Sequence, residues 1–169
     1  MNTITEAKDY LKNNWINGVN CPCCTQRVKL NPVKLTNNIT RGLIELYKLD
    51  QKQPNGYFHI SKIEAWQTYN HAGGGAFAKN KYWGLAVDHV NEDTKKRTSG
   101  MWAITELGRK FVREEIALAN TVNIFNKKKY GESYGDSVTI SQTLNKSFDY
   151  SEIMGEYIEP SKAVRWLED

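Results

Sequence analysis

Three cysteines stand together in Cys21-Pro22-Cys23-Cys24, and the chain of 169 residues has no others. Cys21 and Cys24 have the C-x2-C spacing with which a zinc knuckle turns backbone amides toward two thiolates. Pro22 suits so tight a turn. A structural zinc takes four ligands. This run supplies two, or three if Cys23 also turns inward. The remainder would come from His59, His71 or His89, or from a second copy of the chain. The same residues also fit a turn of unligated thiols. A redox C-x-x-C fits less well, because no thioredoxin-like βαβ pattern surrounds it. An odd number of cysteines in one cluster does not make a disulfide framework.

A second chemistry lies in two basic runs. Lys79, Asn80 and Lys81 fall on a short segment predicted as a helix. An asparagine can read adenine through two hydrogen bonds, and a lysine can meet guanine or phosphate. Lys95, Lys96 and Arg97 sit at the centre of the polar loop Asn91–Gly100, where they would reach backbone phosphates or a minor groove. The plainer readings are a solvated helix face and an exposed charge run. Nucleotide binding by Gly73-Gly74-Gly75 is not supported, because no G-x4-G-K-[S/T] follows. Hydrolytic chemistry finds no H-E-x-x-H. The deaminase pattern fails for want of an H-x-E partner to the cysteines. The chain is not expected to be an enzyme.

Charge points the same way as the basic runs. The net charge is +4, yet the segment from Asp149 onward holds six acidic and two basic residues, which leaves +8 on the rest. A basic body with an acidic tail suits a polyanionic partner. No run of eighteen apolar residues occurs, and the N-terminus lacks a basic-then-apolar signal pattern. A membrane partner is therefore not expected, and the expected location is the cytoplasm.

The elements that must position these residues follow from spacing. Thr3 and Glu6 have capping-box spacing and open a helix to about Ile16, with Ala7, Tyr10, Leu11 and Ile16 along one side. Asn31-Pro32 breaks the chain. A second helix runs from Thr36 to about Leu49, with Ile39, Leu43, Ile44, Leu46 and Tyr47 forming an apolar face. Tyr57–Ile60 reads as a strand. Ser61 caps a third helix to about Tyr69 that turns Ile63 and Trp66 inward. The segment from Ala76 is the fourth helix, with Phe77, Tyr82 and Trp83 toward the core and Lys79 and Asn80 on the other side. Leu85–Val90 and Met101–Thr105 alternate as strands. Thr105 caps a helix from Glu106 to about Ala117 that buries Leu107, Phe111, Val112 and Ile116. Beyond Thr121, Val122–Asn126 and Ser137–Ile140 are candidate hairpin strands, and Asp149–Met154 reads as helix.

Gly84-Leu85, a charged loop, and Ile104-Thr105-Glu106-Leu107-Gly108 together resemble the winged helix-turn-helix superfamily. The likeness covers roughly residues 36–117. The whole chain, with its CPCC motif, is also similar to small uncharacterised proteins of phages and prophages. The resemblance implies an α+β fold: a winged-helix core, an N-terminal helix with a cysteine knuckle, and a small C-terminal β-hairpin and helix. The expected domains are 1–35, 36–118 and 119–169. The implied function is a regulatory DNA-binding protein that contacts double-stranded DNA through Lys79, Asn80, Lys81, Lys95, Lys96 and Arg97. Zinc would be held by Cys21, Cys24 and Cys23, and a homodimer is compatible with a shared site. The alternative is an adaptor or inhibitor that engages a host enzyme, polymerase or defence complex.

Overall fold

The computed structural model describes residues 3–65, 75–93, 95–96, 99–144 and 148–155. They form an α+β arrangement. Its first half holds α1 (Ile4–Asn14), a 3-10 helix η1 (Trp15–Asn17), β1 (Val19–Asn20), β2 (Arg27–Val28), β3 (Asn31–Lys34), α2 (Asn37–Lys52), β4 (Phe58–His59) and α3 (Ile60–Ile63). A second 3-10 helix η2 (Phe77–Trp83) follows, then β5 (Ala86–Asp88), β6 (Met101–Ile104), α4 (Glu106–Val112), β7 (Leu118–Phe125), β8 (Lys128–Val138), α5 (Ile140–Leu144) and α6 (Tyr150–Gly155). The chain divides into two compact units, residues 1–34 with 121–135, and residues 35–120 with 136 onward. No described helix is long and apolar enough to cross a membrane.

In the first unit, Thr3 Oγ1 accepts the Glu6 N–H at 3.2 Å and the Glu6 carboxylate accepts the Thr3 N–H at 3.1 Å. Two orphan donors of α1 are thereby satisfied. The α-helix stops at Asn14, and Gly18, at φ +82°, turns the chain after η1. Ala7 is buried, whereas Tyr10 and Ile16 of the expected inner side are exposed. β1 and β2 pair antiparallel, Val19 with Val28 and Asn20 with Arg27, around Cys21–Gln26. Asn31-Pro32 is not a break. It opens β3, which pairs Pro32 with Asn123 and Val33 with Val122 of β7. β3 is the edge of the order β3-β7-β8, where a residue without an N–H is tolerated. Asn126 and Lys127, both left-handed at φ 47° and 61°, close the two-residue turn between β7 and β8. The C-terminal segment is therefore not one appendage. Residues 121–135 group with the N-terminal residues because β7 finds its partner in β3.

The second unit is built on α2. Ile39, Leu43, Ile44, Leu46 and Tyr47 are buried, and so are Thr40, Arg41, Lys48 and Asp50, so this helix is enclosed on more than its apolar face. Gly42 admits Phe77, because a Cβ at Gly42 would lie 2.8 Å from the Phe77 ring. Phe77 meets Trp102 edge-on at 5.2 Å between ring centres. The sheet order is β4-β6-β5, with Phe58 opposite Trp102 and Ala86 opposite Ile104.

Thr105 fastens α4 to the end of η2. Its hydroxyl donates to Gly84 O at 2.6 Å and accepts the Gly108 N–H at 3.0 Å. α4 ends at Val112 and not near Ala117, because Glu114 takes φ +59°, which an α-helix cannot. Leu107 is 40% exposed, contrary to expectation, while Phe111 and Val112 are buried. Asp50 near the end of α2 holds Arg109 of α4 at 2.8 Å and also accepts the Asn55 N–H at 3.0 Å. α5 closes on α2 through Thr143 and Thr40, whose hydroxyls are 2.8 Å apart. α3 spans Ile60–Ile63 and is capped by the His59 side chain rather than by Ser61. Trp66, the rest of that expected helix, His71, Gly73, Gly74 and the segment 156–169 lie outside the described residues.

Candidate nucleic-acid and thiol sites

The expected reading helix is a seven-residue 3-10 helix and not an α-helix. Phe77 and Trp83 face the core as expected, and Trp83 Nε1 donates to Ala119 O at 2.9 Å. Lys79 and Lys81 are exposed. The Lys81 ammonium lies 5.5 Å from the centre of the Tyr82 ring.

Asn80 does not share their face. It is 0% exposed, and its amide nitrogen donates to Ile39 O at 2.9 Å and Phe77 O at 2.8 Å. Its Oδ1 is buried without a partner. The tighter 3-10 rotation, three residues per turn, sets Asn80 in line with the core residues Phe77 and Trp83. The adenine-reading role expected of Asn80 is therefore corrected: its side chain ties η2 to the first turn of α2.

The loop between β5 and β6 keeps Lys95 and Lys96 exposed. Asp93 organises the tip. Its carboxylate accepts the Lys95 N–H at 3.0 Å and its carbonyl accepts the Lys96 N–H at 3.1 Å. Asn91 Nδ2 donates back to Lys96 O at 2.7 Å. At the base, Ser99 Oγ donates to His89 O at 2.7 Å. Arg97 lies outside the described residues. Among the six residues expected to meet DNA, the structure therefore places Lys79, Lys81, Lys95 and Lys96 at the surface.

The cysteine run is the loop of the β1–β2 hairpin. Thr25 N–H donates to Cys21 O and Cys21 N–H to Gln26 O, each at 2.8 Å, and Thr25 takes φ +61° to close the turn. The Cys24 amide, then the Cys23 amide, point at the Cys21 sulfur and hold its thiol below the ordinary range. The two neighbouring thiols add to this. Two amides converging on the first sulfur of a C-x2-C run is half of the arrangement that a zinc knuckle needs. Cys21 is half-buried, and Cys23 and Cys24 are exposed. Among the described residues no group of three or more histidine, cysteine, aspartate or glutamate side chains is arranged to hold a metal ion.

One cluster escaped the sequence reading. In the first unit the Trp15 ring lies 4.4 Å from Phe125 and 5.1 Å from Tyr130. The signal available was Phe125 and Tyr130 standing on either side of Lys127-Lys128-Lys129. No family model, curated protein or solved structure matches this chain.

Proposed function

We propose that this chain is a winged-helix DNA-binding protein of regulatory, phage type, acting on duplex DNA in the cytoplasm. The observation that carries the reading is the second unit's order of elements. A three-stranded sheet is ordered β4-β6-β5, with η2 directly before β5 and a lysine-bearing loop between β5 and β6. That is the order of helix, strand, helix, helix, strand, wing and strand. Lys79 and Lys81 on η2 and Lys95 and Lys96 on the wing meet phosphates. With Asn80 buried, base readout is weak, and affinity comes mainly from counterion release.

The test is binding to random duplex DNA as salt is varied. Each neutralised phosphate contributes about 0.9 to the log–log slope. Four exposed lysines give a slope of about −3.6, or about a hundredfold loss from roughly 50 to roughly 200 mM salt. Lys95→Ala with Lys96→Ala flattens the slope by about 1.8. Absence of binding at low salt defeats the reading.

We further propose that zinc is held by Cys21 and Cys24, with Cys23 beside them, a reading drawn from the two amides that converge on the Cys21 sulfur. Bound there, the ion would tie the hairpin loop and lend folding free energy. Metal content near one zinc per chain, or per two chains for a shared site, tests this. Replacing Cys21 and Cys24 by Ser abolishes it.

A second reading, an adaptor that binds a host protein, draws on the exposed apolar residues beside the wing. Val87 is 44% exposed, Val90 80% and Tyr57 45%. Val87→Ser with Val90→Ser lowers capture of that partner and leaves the DNA salt slope unchanged.

A further inference from the structure

We propose that the β7–β8 hairpin of the first unit, with α1 and η1 beside its aromatic face, is a binding surface for single-stranded nucleic acid. The proposal does not rest on the winged-helix reading.

Three aromatic residues share one face of the hairpin. The Trp15 ring of η1 contacts both Phe125 and Tyr130, which places those two on the side facing η1. Tyr134 Oη donates to Asn123 Oδ1 at 2.8 Å, and Asn123 stands two residues from Phe125 on the same face of β7. The rings are not covered: Phe125 is 37% exposed and Tyr130 and Tyr134 are each 45% exposed. Contiguous exposed apolar side chains of this size mark interaction sites. Leu11, Lys12, Trp15, Val28 and Phe125 line a groove of about 360 Å³ alongside.

Charge identifies the occupant. Residues 1–34 and 121–135 carry eight basic and three acidic side chains, a net +5 that exceeds the whole chain's +4. Lys127, Lys128 and Lys129 are exposed at the hairpin tip, and Lys12 forms a wall of the groove. Seven of the eight basic residues are lysines. Lysine meets phosphate as a point charge, which suits a backbone held without fixed geometry. The groove wall holds no array of polar groups for reading base edges. Aromatic faces interleaved with lysines bind single strands by stacking and backbone attraction with little sequence preference.

The experiment uses the full chain and a fluorescently labelled oligo(dT), with a duplex of equal length and polyglutamate as competitors. Oligo(dT) should bind with a salt slope that drops by about 1.4 in Lys127→Ala with Lys128→Ala. Tyr130→Ala with Tyr134→Ala should weaken binding by about tenfold or more, since one stacked base is worth roughly that factor. Both tyrosines are largely outside the core, and an unchanged melting temperature confirms that these variants fold. Phe125→Leu, which keeps an apolar contact for Trp15, should also weaken binding. Lys79→Ala with Lys81→Ala should leave oligo(dT) affinity within about twofold, so the fate of the duplex reading is separable. No binding of oligo(dT), unchanged affinity in the tyrosine variant, or equal competition by polyglutamate each overturns the proposal. The last outcome would make the hairpin a general polyanion or acidic-protein surface.

Discussion

Gly108 lies against the carbonyl oxygen of Leu85 so closely that a Cβ at Gly108 would stand 2.2 Å from that oxygen. The atom in the way is backbone, so it cannot swing aside as a flexible side chain can. Leu85 O is also in use, accepting the Thr105 N–H at 3.1 Å. Gly108 thus lets α4 begin against the start of β5, and the threonine cap closes the junction. Gly108→Ala is expected to lower stability by at least about 1–3 kcal/mol through overpacking. Gly155, with nothing within 4 Å of its would-be Cβ, is the control position, and Gly155→Ala should change little. Urea titration of both variants checks this, and equal midpoints would refute the close approach.

Asn80 and its two lysine neighbours should separate in their effects. Asn80→Ala removes a buried donor from the Ile39 and Phe77 carbonyls. It should cost about 1–3 kcal/mol and leave the salt slope of duplex binding unaltered. Lys79→Ala and Lys81→Ala should show the opposite pattern, with stability kept and the slope reduced by about 0.9 each. An Asn80 variant that folds like wild type but changes sequence preference would return this residue to the DNA-reading role.

The knuckle should be chemically active at Cys21. Its thiol is held low by the Cys24 and Cys23 amides. The thiolate form therefore persists to lower pH, and the thiolate is the nucleophile. Brief alkylation with iodoacetamide near neutral pH, read by fragment mass spectrometry, should label Cys21 ahead of Cys23 and Cys24. The preference should shrink as the pH is raised. Equal labelling from slightly acidic to alkaline pH would show that the amides do not stabilise that sulfur.

Glu64 gives a pH-dependent stability of known sign. Burial raises its carboxyl above the usual range, and its Oε1 is buried without a partner. A folded value above the unfolded one means that its contribution is most favourable below the unfolded pKa. The contribution is lost as pH rises through the folded value. Glu64→Gln should therefore raise the melting temperature at neutral pH, and this gain should fade below about pH 4. A gain that persists undiminished in acid would show that the charge is not the cause.

Much of the local structure was legible because its causes are local. Thr3 and Glu6 are three residues apart and complete their capping box without help from the rest of the chain. Thr105 caps α4 as expected, accepting the Gly108 N–H. The apolar rows of α2 are visible at helical spacing and are buried as read. The limits of α4 were less legible, since nothing in Glu114 itself announces a left-handed backbone.

What the residues determined alone was the identity of these pieces: capped helices, alternating strands, a turn at Cys21–Cys24 and two basic runs. Tertiary structure decided how distant pieces meet. Pro32 looked like a break because the strand that accepts it, β7, lies some ninety residues later in the chain, and a ladder has no local signature on an edge strand. Asn80 looked like a solvent-facing reader because helical spacing was assumed at 3.6 residues per turn. Packing of Phe77 and Trp83 into the core instead winds η2 to three residues per turn, and the same rotation that buries the two rings carries Asn80 onto the Ile39 carbonyl.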